Sequence, residues 1–429
     1  MTVPAVAGLF FPLRETLGFD ARELTPGLVE RITFSASETR SFLRAKLVLE
    51  KVGDAVVSTN TIERVVGDVG HELAERRDAD PKTAEALARR PESPPELAVV
   101  ECDGGRIRTR EPDQGPGVHL SGEGWRETKN ACLIRGTRQT FDDDPQPEPP
   151  ACFCDPQHVA QIAETEALSV ASPPAASEGG LSEQSGETPV PFAGDWRPQR
   201  LLRTVVSSMQ GSRDFGRQMA REAKRRRFFE ASARAFLGDG LPWNWTLWKD
   251  HFSDFTPILD FIHPLSYLFL AAKAVHASAD DAWSQYLAWM RGCWQGEVPQ
   301  VIHELQAWQA RLGLPPEDAS DTDPRKVVAT TIGYLEHNRE RMNYPEYRRQ
   351  GLPITTAWME SLVKEINYRV KGTEMFWNHP AGAEAILQVR AAALSDDDRL
   401  SRHLRHRPGW PFLRRPKAPV LTLAGNHES

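Results

Sequence analysis

Cysteine is scarce, with five in 429 residues. So few cannot staple a chain of this length, and a reducing, cytoplasmic setting is the expectation. Long hydrophobic runs are missing too. No stretch approaches the roughly 18 uninterrupted apolar residues of a membrane span. The segment from Met1 to Phe11 is apolar, but it has no basic flank, and Arg14 and Glu15 follow at once, so it does not read as a signal peptide. Neither the phosphate-cradling pattern GxxxxGK followed by Ser or Thr nor the dinucleotide pattern GxGxxG occurs, which leaves a nucleotide-driven motor or a dinucleotide enzyme without support. Positive charge is also short. The 52 Lys and Arg against 59 Asp and Glu give a net charge of -7, which argues against a non-specific coat for nucleic acid. An enzyme acting on nucleic acid is not excluded, because an acidic metal site and local basic patches cancel in the total.

What is present supports a folded chain of two to four units. Hydrophobic residues make up 40%, with 12 Trp and 18 Phe, ample for a sizeable core. Residues 1–77 read as helical. Ser35 to Glu38 caps one expected helix through Leu47, and Ser58 caps another in which Ile62, Val65, Val66 and Val69 recur at helical spacing. The pair fits a helix-turn-helix and equally well two packed helices without a nucleic-acid role. Residues 78–96, with four prolines, read as a linker.

Residues 97–140 read as strands. Leu97 to Asp103 is an apolar strand ending in a carboxylate. Gly104-Gly105 suggests a turn, and Arg106, Arg108 and Arg110 suggest a returning strand. Gly124 to Arg135 is the third strand of an antiparallel set. Residues 141–195 carry Asp142-Asp143-Asp144 and nine prolines and read mostly as a long insertion, with one helical stretch from Val159 to Leu168. Residues 196–263 return to strand and helix, 264–345 are strongly helical, 346–395 contain an amphipathic helix, and 396–429 form a basic, Pro-rich tail.

Three carboxylates sit where strands end or a helix begins: Asp103, Asp239 between Gly238 and Gly240, and Glu360. Ligands of open sheets gather at the carboxyl ends of strands. Carboxylates there suit hard cations such as Mg²⁺ or Mn²⁺, and two such ions assist phosphoryl transfer. An Asp before a Gly is more often simply a turn. The Glu360 helix is the sharpest element. Met359, Leu362, Val363, Ile366 and Val370 form its apolar stripe, and Glu360, Lys364, Asn367 and Lys371 form a polar stripe alongside. Asp260 and His263 end another apolar run, where His263 is suited to donate to an oxygen and Asp260 to fix its tautomer or tighten the turn. Nine basic residues between Arg200 and Arg227, among them Lys224, Arg225 and Arg226, and the run Arg106, Arg108, Arg110 are candidate phosphate contacts. Cys152-Phe153-Cys154 with His158 lacks the usual CxxC spacing of zinc sites.

Taken in order, five segments resemble the Kra type of bacterial insertion-sequence transposases, within the Mutator-like, RNase H-like DDE group. They are Asp103-Gly104-Gly105-Arg106; Gly124 to Lys129; Gly238-Asp239-Gly240 with Trp243 and Trp245; Asp260 to His263; and Thr356 to Ser361 continuing through Arg369-Val370-Lys371-Gly372 to Met375-Phe376-Trp377. The resemblance covers about residues 34–398, weakest over 141–195, and departs in having Gly238 before Asp239. It implies an α/β fold: an RNase H-like catalytic domain with a mixed sheet, interrupted by an all-helical insertion and preceded by a helix-turn-helix-like domain. Asp103, Asp239 and Glu360 would be the catalytic, metal-holding carboxylates, His263 a further catalytic residue, and Asp260 and Asn367 supporting ones. Arg106, Lys224, Arg225, Arg226, Lys364, Arg369 and Lys371 would contact DNA. The implied activity is strand cleavage at element ends and strand transfer into target DNA, using two Mg²⁺ or Mn²⁺ ions. Its partners would be double-stranded terminal repeats and target DNA, met as a homo-oligomer at the bacterial nucleoid. A non-catalytic DNA-binding descendant and a nuclease that cuts without joining are the competing classes.

Overall fold

The computed structural model describes residues 19, 22–79, 93–110, 124–170, 197–371, 376–405 and 407. Its centre is a five-stranded mixed sheet: β1 (Leu97–Arg108), β2 (Trp125–Gly136), β3 (Arg200–Ser208), β4 (Ala233–Gly238) and β5 (Thr256–Leu259), in the spatial order β3-β2-β1-β4-β5. β1, β2 and β3 are antiparallel, while β4 and β5 run parallel to β1. A central strand flanked by partners is buried on both faces, and Leu97 to Cys102 are all buried accordingly.

The expected turn at Gly104-Gly105 is absent. β1 runs straight through both glycines and pairs with β2 from Leu97 to Arg108 without interruption. Neither glycine adopts a positive φ. A Cβ on Gly105 would lie 2.6 Å from Thr128 Oγ1 and 3.0 Å from Asn130 Nδ2. Glycine is used here for close approach between strands rather than for turning. The antiparallel triplet therefore exists, but its third member is Arg200–Ser208.

Fourteen described helices surround the sheet. Three precede it: α1 (Pro26–Glu38), α2 (Phe42–Lys51) and α3 (Thr59–Asp78). The others are α4 (Pro156–Val170), α5 (Ser212–Arg225), α6 (Pro242–His251), α7 (Ile262–Val275), α8 (Ala279–Trp294), α9 (Val298–Leu312), α10 (Pro324–Asn338), α11 (Tyr344–Arg349), α12 (Ala357–Val370), α13 (Pro380–Ala393) and α14 (Arg399–Arg405). Alternation along β1 separates the two sides of the sheet. Cys102 Sγ donates to Asn244 of α6, while its neighbour Glu101 lies near Met359 and Glu360 of α12.

The amino-terminal helices share the core of the body. Ile62, Val65, Val66 and Val69 of α3 are buried, and a Cβ on Gly70 would come within 2.2 Å of the Ala385 carbonyl in α13. Only glycine permits so close a helix crossing. The outer side of α3 carries Glu63, Arg64, His71 and Glu75, a mixed surface rather than the basic one a DNA-reading helix would present.

The segment read as an acidic insertion begins as docked structure. Asp144 pairs with Arg348, Trp294 Nε1 donates to the Gln146 carbonyl at 2.9 Å, and Tyr286 donates to the Phe153 carbonyl at 3.1 Å. The Cys-Phe-Cys stretch forms a 3₁₀ turn, Ala151–Cys154, that drives Phe153 against Phe261 and Trp294. Its purpose in the fold is an aromatic wedge. Residues 171–196 lie outside the described residues, as do 80–92 of the expected linker and most of the basic tail.

Candidate active site

Three parallel strands bring three aspartates to one level. Glu101 pairs with Leu237, so Asp103 and Asp239 each lie two residues beyond that pair. Gly238 pairs with Leu259, so Asp239 and Asp260 each follow at once. Asp103, Asp239 and Asp260 thus mark the carboxyl ends, or the continuation past the paired part, of β1, β4 and β5. Loops leave the sheet there and side chains can converge.

Each is held differently. Asp239 Oδ1 accepts from the Leu241 amide at 2.9 Å and from Asn244 Nδ2, and its carbonyl accepts from Tyr334 of the helical insertion at 3.0 Å. Gly240 follows at φ 95°, a left-handed conformation that a side chain would strain. Asp260 is fully buried. Its Oδ1 accepts from the amides of Ile262 and Thr356, its Oδ2 accepts from Thr356 Oγ1 at 2.7 Å, and His263 Nε2 stands 3.5 Å from Oδ2. Thr356 is the N-cap of α12, yet its hydroxyl makes no capping bond to its own helix. It is tied instead to Asp260, which fixes the start of the helix that carries Glu360 one turn later.

Electrostatics records the proximity. Burial and the Asp239 charge push the Asp103 carboxyl up to about 6, with His263 opposing. Burial and the Asp260 charge push Glu360 up to about 7, with Lys364 and His263 opposing and Asp103 adding to the rise. Glu360 still has an open, solvent-facing side. Its shift therefore reflects crowding by protein and like charge more than complete desolvation. Among the described residues no group of three or more His, Cys, Asp or Glu side chains is spaced as a metal cage. The donor set nonetheless fits Mg²⁺ or Mn²⁺, because its ligands are hard oxygens.

No family model matches the chain, and no curated protein matches it. Among solved structures, the chain is similar to the Drosophila P element transposase strand transfer complex, at 10% sequence identity and a TM-score of 0.34, covering 87% of this chain and 93% of that one. The likeness is distant.

The expected phosphate contacts divide. Arg106, Lys224, Lys364 and Lys371 are exposed. Arg225 is bound to Glu222 at 2.9 Å, and Arg226 is buried between Glu222 and Asp397. Arg369 is buried, donates to the Ala36 carbonyl at 2.6 Å and lies over the rings of Phe42 and Trp377. Arg226 and Arg369 are thus spent on the fold, because each guanidinium satisfies a buried internal acceptor. Asn367 holds the end of α12, its carbonyl accepting from the Lys371 amide at 2.9 Å.

The residues that sequence reasoning passed over are Asn244, Tyr334, Thr356 and Glu101. Glu101 is fully buried one alternation before Asp103, its carboxyl set beside the Met359 backbone of α12. Burial and the Asp260 charge raise its pKa well above the usual carboxylate range. An acidic residue inside an otherwise apolar strand was the one signal available for it.

Proposed function

We propose that this protein is a DDE transposase with an RNase H-like catalytic domain, cutting DNA strands at element ends and joining them to target DNA. One observation carries the reading: Asp103, Asp239 and Asp260 stand at one level on adjacent parallel strands, with Glu360 brought to them by a helix tied to Asp260. The mixed sheet, with three antiparallel strands followed by two parallel ones, and the helices between β5 and α12 support the same assignment.

Asp103, Asp239 and Glu360 would hold two divalent ions. Bound there, Mg²⁺ or Mn²⁺ would activate a water or a 3′-hydroxyl and steady the leaving oxygen of a phosphodiester. Asn244 and the Leu241 amide orient the Asp239 carboxylate. Asp260 orients His263 and fixes the Glu360 helix, and His263 is placed to donate a proton to a phosphate or leaving oxygen. Tyr334 of α10 ties down the Asp239 backbone by donating to its carbonyl.

The test is cleavage of duplexes carrying the flanking inverted repeats, with Mg²⁺ or Mn²⁺. Nicked and joined products from wild type, and none from Asp239→Ala, are expected. Inactivity of the wild type with both metals overturns the enzyme reading and favours a DNA-binding descendant. Nicked product that is never joined identifies a nuclease.

A further inference from the structure

The far end of β1 gathers cations that no acid neutralises among the described residues. Arg106, Arg108 and Arg110 alternate along the strand, so their side chains recur on one face about 6.7 Å apart. That is a spacing comparable to successive phosphates of an extended nucleic-acid strand. Arg108 lies 5.2 Å above the Trp125 ring, and Lys371 approaches the same ring at 5.7 Å. Arg110 lies 4.6 Å over Phe376. Among the described residues no carboxylate pairs with any of these four cations. Glu127 faces Arg106 in the strand register, but its ion pair at 2.8 Å is with Lys129.

The arrangement is rigid. Trp377 donates to the Arg108 carbonyl and accepts from the Arg110 amide, each at 2.8 Å, and so fastens the strand's open edge. The Nε atoms of Arg108 and Arg110 are buried without a hydrogen-bond partner. Burial and the Arg106 charge lower the Lys371 pKa. Solvated surface arginines would spread apart and pair with acids. Here aromatic rings and strand pairing hold like charges together, at an electrostatic cost that an anion would remove.

We propose that Arg106, Arg108, Arg110 and Lys371, supported by Trp125 and Phe376, form a track at the carboxyl-terminal end of β1 for the sugar–phosphate backbone of one DNA strand. This rests on the reading of the chain as a DNA-processing enzyme; what the structure adds to the basic run is its joining with Lys371 over Trp125 and the seating of Arg110 on Phe376. Each phosphate neutralised releases counterions, so each contact adds about 0.9 to the slope of log affinity against log salt for duplex DNA.

The experiment measures binding of a random-sequence duplex to the full chain in EDTA, where no chemistry proceeds, across a salt series. The double variant Arg108→Ala/Arg110→Ala is expected to bind more weakly, with the slope reduced by about 1.8, two contacts' worth. Arg108→Lys/Arg110→Lys should restore most of the slope, since charge rather than shape is what the track supplies. A wild-type slope unchanged in the alanine variant overturns the track and leaves the DNA-enzyme reading standing. So does a lysine variant as impaired as the alanine one, because the pair would then act through packing. A wild type that binds no DNA at any salt overturns both.

Discussion

Glu222 and Asp397 are ringed by Arg225, Arg226, Arg399 and Arg402, whereas Asp103, Asp239, Asp260 and Glu360 face chiefly one another. In the first cluster Arg399 reaches both acids, at 2.8 and 2.9 Å, and Arg402 adds a contact to Asp397 at 3.2 Å. Burial alone would raise these carboxyls. The surrounding guanidiniums outweigh it, holding Glu222 at about 2 and Asp397 well below the ordinary range. In the second cluster burial and like charge act together on Asp103 and Glu360, and both carboxyls rise. Acidic residues gathered by the same fold therefore do opposite things. One set is neutralised from within and clamps α5 to α14. In the other, His263 and Lys364 oppose the rise of Asp103 and Glu360 without reversing it.

That contrast can be broken by experiment. Its largest consequence concerns activity: Asp239→Ala should lower strand cleavage on the order of a hundredfold or more while leaving the melting temperature close to wild type. A variant that unfolds instead would place Asp239 with the structural acids. Glu222→Ala should do the reverse. Removing one partner strands buried guanidiniums, so urea denaturation should report a loss of about 3–5 kcal/mol, with metal-dependent binding to DNA retained in the folded fraction.

A smaller effect is expected at Glu101, whose fully buried carboxyl is raised by burial and by the Asp260 charge. Glu101→Met removes the buried carboxyl, and urea titration should find it neutral or more stable by about 1–3 kcal/mol. Strong destabilisation would mean that the carboxyl supports the fold.

The last test is a tilt with pH. Asp103 and Glu360 have raised pKa values in the folded chain, so folding binds protons that the unfolded chain has already released. Their contribution to stability is present below about pH 4 and lost as pH rises through about 6 to 7. Glu222 has the opposite sign: its contribution is present above about pH 4.5 and is lost as pH falls toward about 2. The metal-free protein should melt at progressively lower temperature between about pH 5 and 8. Mg²⁺ should reverse that fall, and Asp103→Asn should flatten it. A flat wild-type profile would sink the idea that burial and like charge govern the site.

Much of this was legible locally. The stripe Met359, Leu362, Ile366, Val370 forecast α12 within a residue or so, because 3.6-residue periodicity is written in the chain. The apolar run before Asp103 forecast β1, and the helices after Pro264 forecast the insertion. Gly104-Gly105 misled, because a glycine signals a turn only when nothing else demands its small size, and at Gly105 the Thr128 and Asn130 side chains across the sheet demanded it. The acidic composition of residues 141–155 concealed a docked segment for a similar reason, since Arg348 and Trp294, far along the chain, supply its partners. Basic runs were the least informative. Arg225 and Arg226 sit beside Lys224 in sequence, but only Lys224 keeps its charge facing solvent.

The sequence by itself determined where strands and helices form, that Asp103 and Asp239 follow apolar strands and that Glu360 opens an amphipathic helix, since these depend on spacing and on neighbours a few residues away. Only the tertiary structure decided which acids meet cations and which meet one another. It made Asp260 the anchor of Thr356, buried Glu101 beside the Met359 backbone and lined up Arg106, Arg108 and Arg110 beside Trp125 and Lys371. Charge acts through space at a strength set by burial and distance, and neither quantity exists until the chain has folded.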